Sequence, residues 1–207
     1  MKKLSGRSLK NTCSTNWRHC RKYYPTYGQA IQTGASGLSS LFKSLDPISG
    51  RKRGRPTTFI LKQVIDATLN LLSEKLIENN IEVVCDIDDK IKAYGYLGDL
   101  QAALINIIDN AAYWLSSVDI KEKEINLHCV IEQDNMYLSI SNNGPTINYE
   151  DRKIIFDAGV SHKQDGHGLG LSIAREACRN SKGDLKLTAI EPQTIFTIEF
   201  PISQQDK

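Results

Sequence analysis

The chain has 207 residues, 40% of them hydrophobic, which is room for one domain with a true core and an appendage. Its formal net charge of +2 hides a division: residues 1–56 hold 12 Lys and Arg against one acid, Asp46, and the remainder hold 14 against 23. No stretch approaches the roughly 18 apolar residues of a membrane span, no hydrophobic signal segment follows the basic start, and the odd, scattered cysteines form neither a metal set nor a disulfide framework, so a cytoplasmic protein is expected.

Residues 1–35 are basic, rich in Ser, Thr, Gly and Tyr, and lack sustained periodicity. Trp17, Tyr23, Tyr24 and Tyr27 stand among basic residues, a composition that can stack on nucleic-acid bases. A solvated arm, or the end of a larger element, fits the same residues. Leu38, Leu41, Phe42 and Leu45 make a short amphipathic stripe stopped by Pro47. Ser49–Pro56, SGRKRGRP, reads as a flexible basic link whose RGRP core resembles an arm for the minor groove of DNA.

From Thr57 the pattern sharpens. Thr58 is expected to cap a helix whose apolar positions are Leu61, Val64, Ile65, Leu69, Leu72 and Leu76, ended by Asn79-Asn80. Ile81–Ile87 reads as a strand, and Tyr94-Gly95 as the turn into the next helix, Asp99–Leu115. In that helix Leu100, Ala103, Leu104, Ile107, Ile108, Ala111 and Leu115 keep three-and-four spacing, and Asn106 and Asn110 are set one turn apart into the apolar face. A carboxamide in such a place is either satisfied within the fold or reaching for a ligand. Glu124–Ile131 and Met136–Ser141 alternate as two antiparallel strands around Asp134-Asn135. Residues 142–166 are long and rich in Gly, Pro, Asn and Asp, with a short helix expected over Tyr149–Phe156; such a span reads as a functional lid. A helix from Gly168 to about Asn180 follows, then a hairpin of Leu185–Ala189 and Thr194–Phe200 with Pro192 in its turn. Strand pairs joined by turns, with helices gathered on one side, predict an α/β two-layer sandwich with a mixed, largely antiparallel sheet.

Four stretches fall in a telling order: NIIDNA (Asn106–Ala111), ISNNGPTI (Ile140–Ile147), IIFDAGVSHK (Ile154–Lys163) and GHGLGLSIAREA (Gly166–Ala177). On them, residues 57–203 resemble the ATP-binding catalytic domain of sensor histidine kinases, within the superfamily of DNA gyrase, the Hsp90 chaperones and MutL, which share the Bergerat ATP-binding fold. The resemblance implies ATP with Mg2+, the metal taking the carboxamide oxygen of Asn110 as a hard cation takes oxygen ligands. Asn106, one turn earlier, would meet the phosphates or their bound water, and Trp114 would stand beside the adenine. Gyrase-like relatives carry at the Asn106 place a glutamate that activates water, so rapid hydrolysis of that kind is not expected here. Asn142 stands where an aspartate usually accepts from the adenine amine, which removes charge assistance, and Thr146 replaces a glycine. Gly144 and Ile147 belong to the same nucleotide-contacting stretch. Phe156 would anchor the lid, and Lys163 would approach the phosphates, though a solvated lysine fits as well. Gly166, His167, Gly168, Leu169, Gly170 and Leu171 would present backbone N–H groups to phosphate at a helix start.

A histidine kinase also needs an accepting histidine with a nearby acid on a helical hairpin. Upstream of Asp99 only His19 is present, among basic neighbours. The expected organisation is therefore a basic region 1–56 holding at most the remnant of a hairpin, an ATP-binding domain 57–203, and a tail 204–207. Asn106, Asn110 and Lys163 are the expected catalytic residues, for γ-phosphoryl transfer in trans to a histidine of a helical-hairpin partner or through a response-regulator system, with homodimerisation a further expectation. A non-catalytic ATP sensor and nucleic-acid binding through residues 1–56 are the alternative readings.

Overall fold

The computed structural model describes residues 55–163 and 166–202, which lie within the chain's second unit, 43–207. The aromatic–basic cluster, the Leu38–Leu45 stripe, His19 and most of the basic link lie outside the described residues.

Five strands form the main sheet: β2 (Ile81–Asp86), β4 (Lys123–Glu132), β5 (Asn135–Asn142), β6 (Asp184–Ala189) and β7 (Thr194–Pro201), in the order β2-β4-β5-β7-β6. Only β2 and β4 run parallel, and the other pairs are antiparallel. Register decides which side is apolar. Leu127, Ile140, Phe196 and Leu187 face one another across four strands, and Cys129, Leu138, Ile198 and Leu185 make the next row. Between these rows, pointing the other way, lies His128–Ser139–Thr197–Lys186. The period of two thus gives one apolar and one polar face.

Three helices cover the apolar face: α1 (Leu61–Glu78), α2 (Leu97–Ser116) and α3 (Gly170–Asn180). α2 is the central one. Leu100, Leu104, Ile107, Ile108 and Leu115 are essentially inaccessible, and they join Ile125, Leu138, Ile198 and Phe200 in one core. Each such side chain contributes about 1.5–3 kcal/mol on burial. This is the two-layer sandwich that the strand–turn pattern predicts, with the helices on one face.

Three local expectations are corrected. Thr58 is not a helix cap: Thr57–Ile60 forms strand β1, paired antiparallel with β3 (Lys92–Gly95) in a separate two-stranded sheet. The β-branched and aromatic run TTFI suits that pleat, and the first helical N–H, that of Leu61, is satisfied by the Ile91 carbonyl at 2.9 Å instead of a side chain. Tyr149–Phe156 is not a helix beyond a single turn, Asp151–Lys153. Tyr149 and Ile154 stay exposed, so no buried stripe holds more turns together. Finally, α3 starts at Gly170 and not Gly168, whose φ of +67° is left-handed and cannot begin a right-handed helix.

Candidate functional site

Asn106 and Asn110 sit on α2 where its apolar face meets solvent, both half-buried. The Asn106 amide donates to the Ala102 carbonyl at 2.8 Å, one turn back, which fixes the side chain and leaves its oxygen free to point outward. That oxygen faces the start of α3: a Cβ on Gly170 would stand 3.2 Å from Asn106 Oδ1. Gly170 therefore brings the helix N-terminus, with its unpaired N–H groups, against the asparagine. Among the described residues no hydrogen bond engages the Asn110 side chain. Trp114, four residues on, is half-buried and packs edge-on against Tyr113, with centroids 5.2 Å apart.

A second group of polar atoms gathers where β5 ends. Asn142 is buried on the helix-facing side and pairs in register with Thr194 of β7. Thr194 Oγ1 is buried with no hydrogen-bond partner among the described residues. Gly144 folds back over this pair, where a Cβ would meet Asn142 Nδ2 at 2.8 Å and Leu115 of α2 at 3.4 Å. Asn143, by contrast, is committed to structure: its oxygen accepts from the Glu124 N–H at 2.9 Å and its amide donates to the Glu122 carbonyl at 2.7 Å. Of two adjacent asparagines, one extends the sheet and the other faces the helices.

The segment expected to act as a lid follows, and it touches the core and α2 at separate points. Ile147 and Phe156 pack on the core, and the Phe156 ring meets Phe196 edge-on at 6.2 Å. The Arg175 guanidinium of α3 covers Phe156 at 4.8 Å while gripping Asp184 with Nε at 3.0 Å and Nη2 at 3.3 Å. His162 Nε2 lies 3.0 Å from Asp151 Oδ1, tying the late lid to its early turn. Lys163 does not stand free in solvent. Its ammonium lies 3.6 Å from Asp109 Oδ2 and 4.6 Å from the Tyr113 ring centroid, and burial pulls its pKa below the ordinary lysine range against the opposing pull of Asp109.

Gly166, Gly168 and Gly170 act differently from one another. A Cβ on Gly166 would strike Ser161 Oγ at 2.2 Å, and one on Gly168 would strike the Gly159 carbonyl carbon at 2.4 Å. His167 and Leu169 are exposed, and Leu171 packs against the core. Thr194 was not singled out by the sequence, since one threonine in an alternating strand carries no signal until register sets it beside Asn142. Asp109 and Tyr113 likewise carry no signal of their own in the sequence.

The donor set suits an adenine nucleotide carrying a hard divalent cation. It combines an unengaged carboxamide, a second carboxamide held toward a glycine-opened helix, and a buried hydroxyl–carboxamide pair beside apolar walls. Among the described residues no cluster of three or more His, Cys, Asp or Glu could hold a metal alone, so a cation here would depend on ligand oxygens. No described helix is long and apolar enough to cross a membrane.

Comparison with known proteins agrees with this geometry. Residues 95–204 match the family model described as histidine kinase-, DNA gyrase B- and HSP90-like ATPase. The sensor protein PhoQ of Escherichia coli O157:H7 is 27% identical over 125 residues, 59% of this chain and 24% of its own length. The C4-dicarboxylate transport sensor protein DctB of Rhizobium meliloti is 27% identical over 139 residues, 67% of this chain and 22% of its own length. The chain thus spans about a quarter of the length of these curated relatives. Among solved structures, the catalytic domain of histidine kinase ThkA superposes with a TM-score of 0.63 at 23% identity, covering 74% of this chain and 100% of that one. ThkA in complex with the response regulator protein TrrA gives 0.64 at 22% identity, covering 88% and 53%. At these identities the structures speak for the fold.

Proposed function

The chain belongs to the family of histidine kinase-, DNA gyrase B- and HSP90-like ATPases, and from that premise we propose that it binds Mg-ATP between α2, the lid and the start of α3, as a histidine-kinase-like phosphotransfer domain. Adenine would lie against Asn142 and Thr194, and the phosphates against Asn106, Asn110 and the first N–H groups of α3. The observation that carries this reading is the meeting of Asn106 with Gly170, whose missing Cβ leaves room at a helix N-terminus. Mg2+, when bound, would neutralise phosphate charge, with Asn110 supplying a protein oxygen.

The protein's part in phosphoryl transfer would be positioning. Asn106 is locked by its bond to Ala102, Phe156 pins the lid root, and the Gly159–Gly168 contact closes the lid loop. Neither asparagine amide is a base, so neither would activate water as a glutamate does, and the γ-phosphoryl would instead pass to a histidine on a helical-hairpin partner. A solved structure of similar fold is a histidine kinase in complex with a response regulator, which makes a response regulator the expected downstream partner.

A second reading, an ATP sensor that changes an interface without transferring phosphate, is favoured by Asn142: a neutral amide offers adenine a weaker bond than a carboxylate. Calorimetry of Mg-ATP with wild type and Asn110→Ala, followed by γ-labelled ATP with candidate hairpin proteins, separates the two. Binding lost in Asn110→Ala plus an acid-labile phosphoprotein supports transfer. The same binding with no label on any partner supports the sensor. No Mg-dependent binding by folded wild type sinks both.

A further inference from the structure

Asp109 is shared by two lysines. One carboxylate oxygen accepts from Lys75 of α1, and the other lies 3.6 Å from Lys163 of the lid, which also rests over the Tyr113 ring. Asp109 and Tyr113 are four residues apart and form one strip of α2. Asn106 and Asn110, each three residues before one of them, form the adjoining strip. The lid lysine is thus parked one strip away from the two carboxamides.

We propose that Asp109 and Tyr113 hold Lys163 in reserve, and that a nucleotide triphosphate at the Asn106–Asn110 strip draws the ammonium across, so that Asp109 tunes nucleotide affinity. The inference rests on the ATP reading above. Three features favour an exchange over a fixed brace. The contact is loose, because Asp109 commits its other oxygen to Lys75. Departure of Lys163 strands no charge, because Lys75 stays paired with Asp109. Adjoining strips of a helix are about 5–6 Å apart at Cβ, within the swing of a four-carbon lysine stem without backbone movement.

Arg175 shows the opposite arrangement. Its planar fork takes both oxygens of Asp184, and its face covers Phe156, so the guanidinium is held in one orientation from two sides. That is a brace. Lys163 instead rests on one shared carboxylate at 3.6 Å and on the face of Tyr113, without a fork to fix it, which suits an ammonium that must change ligands.

The test is a calorimetric cycle on the full chain with Mg-ATP, using wild type, Asp109→Asn, Lys163→Met and the double variant. Asp109→Asn should bind about three-fold more tightly than wild type, the scale of one partly exposed ion pair. Most of that gain should vanish in the Lys163→Met background. A gain that persists undiminished there would reflect repulsion between Asp109 and phosphate and would overturn the exchange. So would an unchanged or weakened Asp109→Asn. Folded wild type that binds no nucleotide would instead overturn the ATP reading, and this inference with it. If Asp109→Asn fails to fold, the Nζ resonances of wild type decide: Mg-ATP should shift Lys163 and leave Lys75 in place. Both shifting together, or neither, overturns the exchange.

Discussion

Gly159 donates its backbone N–H to the Gly168 carbonyl at 3.0 Å, and both residues have positive φ, +90° and +67°. This bond closes the base of the lid loop that carries His162 and Lys163. A side chain at Gly168 fails twice, through the left-handed backbone and through a Cβ placed 2.4 Å from the Gly159 carbonyl carbon, which is backbone and cannot swing away.

Gly168→Ala should therefore open the loop without unfolding the core. The expected result is at least ten-fold weaker Mg-ATP binding with far-UV circular dichroism unchanged. Gly98→Ala is the control: nothing lies within 4 Å of a Cβ there, and the residue is on the first turn of α2. It should leave binding alone and add at most about 0.5 kcal/mol of stability. Equal effects of the two substitutions would show that the Gly159–Gly168 closure is not what holds the lid.

Thr194 and Asn142 give predictions of opposite sign. The Thr194 hydroxyl is buried without a partner among the described residues, a cost of about 1–3 kcal/mol to the free protein. Thr194→Val removes that cost while keeping shape, so the melting temperature should rise as nucleotide binding weakens. A joint loss of stability and binding would mean that the hydroxyl serves the fold.

Asn142→Asp should do the reverse. It places a carboxylate in a buried position, which destabilises the free protein. With adenine bound, the charge-assisted bond should tighten Mg-ATP binding, on the order of ten-fold if about 1.4 kcal/mol is gained. Unchanged affinity would place the adenine elsewhere.

The sequence revealed the architecture because each face announces itself by period: 3.6 through Leu100–Leu115, two through Met136–Ser141. The motif asparagines and glycines were also legible, since unusual residue types stand in otherwise regular patterns. What escaped was everything that depends on register between distant segments. Thr58 looked like a cap until Lys92–Gly95, far along the chain, supplied it with a strand partner. Thr194 gained meaning only beside Asn142. Asp109 carries no signal along the chain because its two lysines come from α1 and from residue 163. Local propensity also misled at Tyr149–Phe156, where a helical pattern has no neighbouring surface on which to bury its stripe.

The brace between α3 and β6 should set part of the acid limb of stability. Burial alone would raise the Asp184 pKa, but the Arg175 hydrogen bonds, the Leu185 N–H and the charge of both arginines hold it below its ordinary 3.8. A folded-state value lower than the unfolded one means that unfolding takes up a proton in the window between them, so stability rises with pH there. The contribution is complete above about pH 4 and is lost as pH falls through the folded-state value. For a two-pronged but partly exposed pair it should be roughly 1 kcal/mol. Asp184→Asn should accordingly be less stable than wild type in urea at pH 7, and the gap should narrow as pH falls below about 4. Because Arg175 also covers Phe156, the same variant should loosen the lid root and weaken Mg-ATP binding at pH 7. A gap that stays constant down to low pH would mean that the substitution acts through packing, and the Asp184 carboxylate would not be the partner that fixes Arg175.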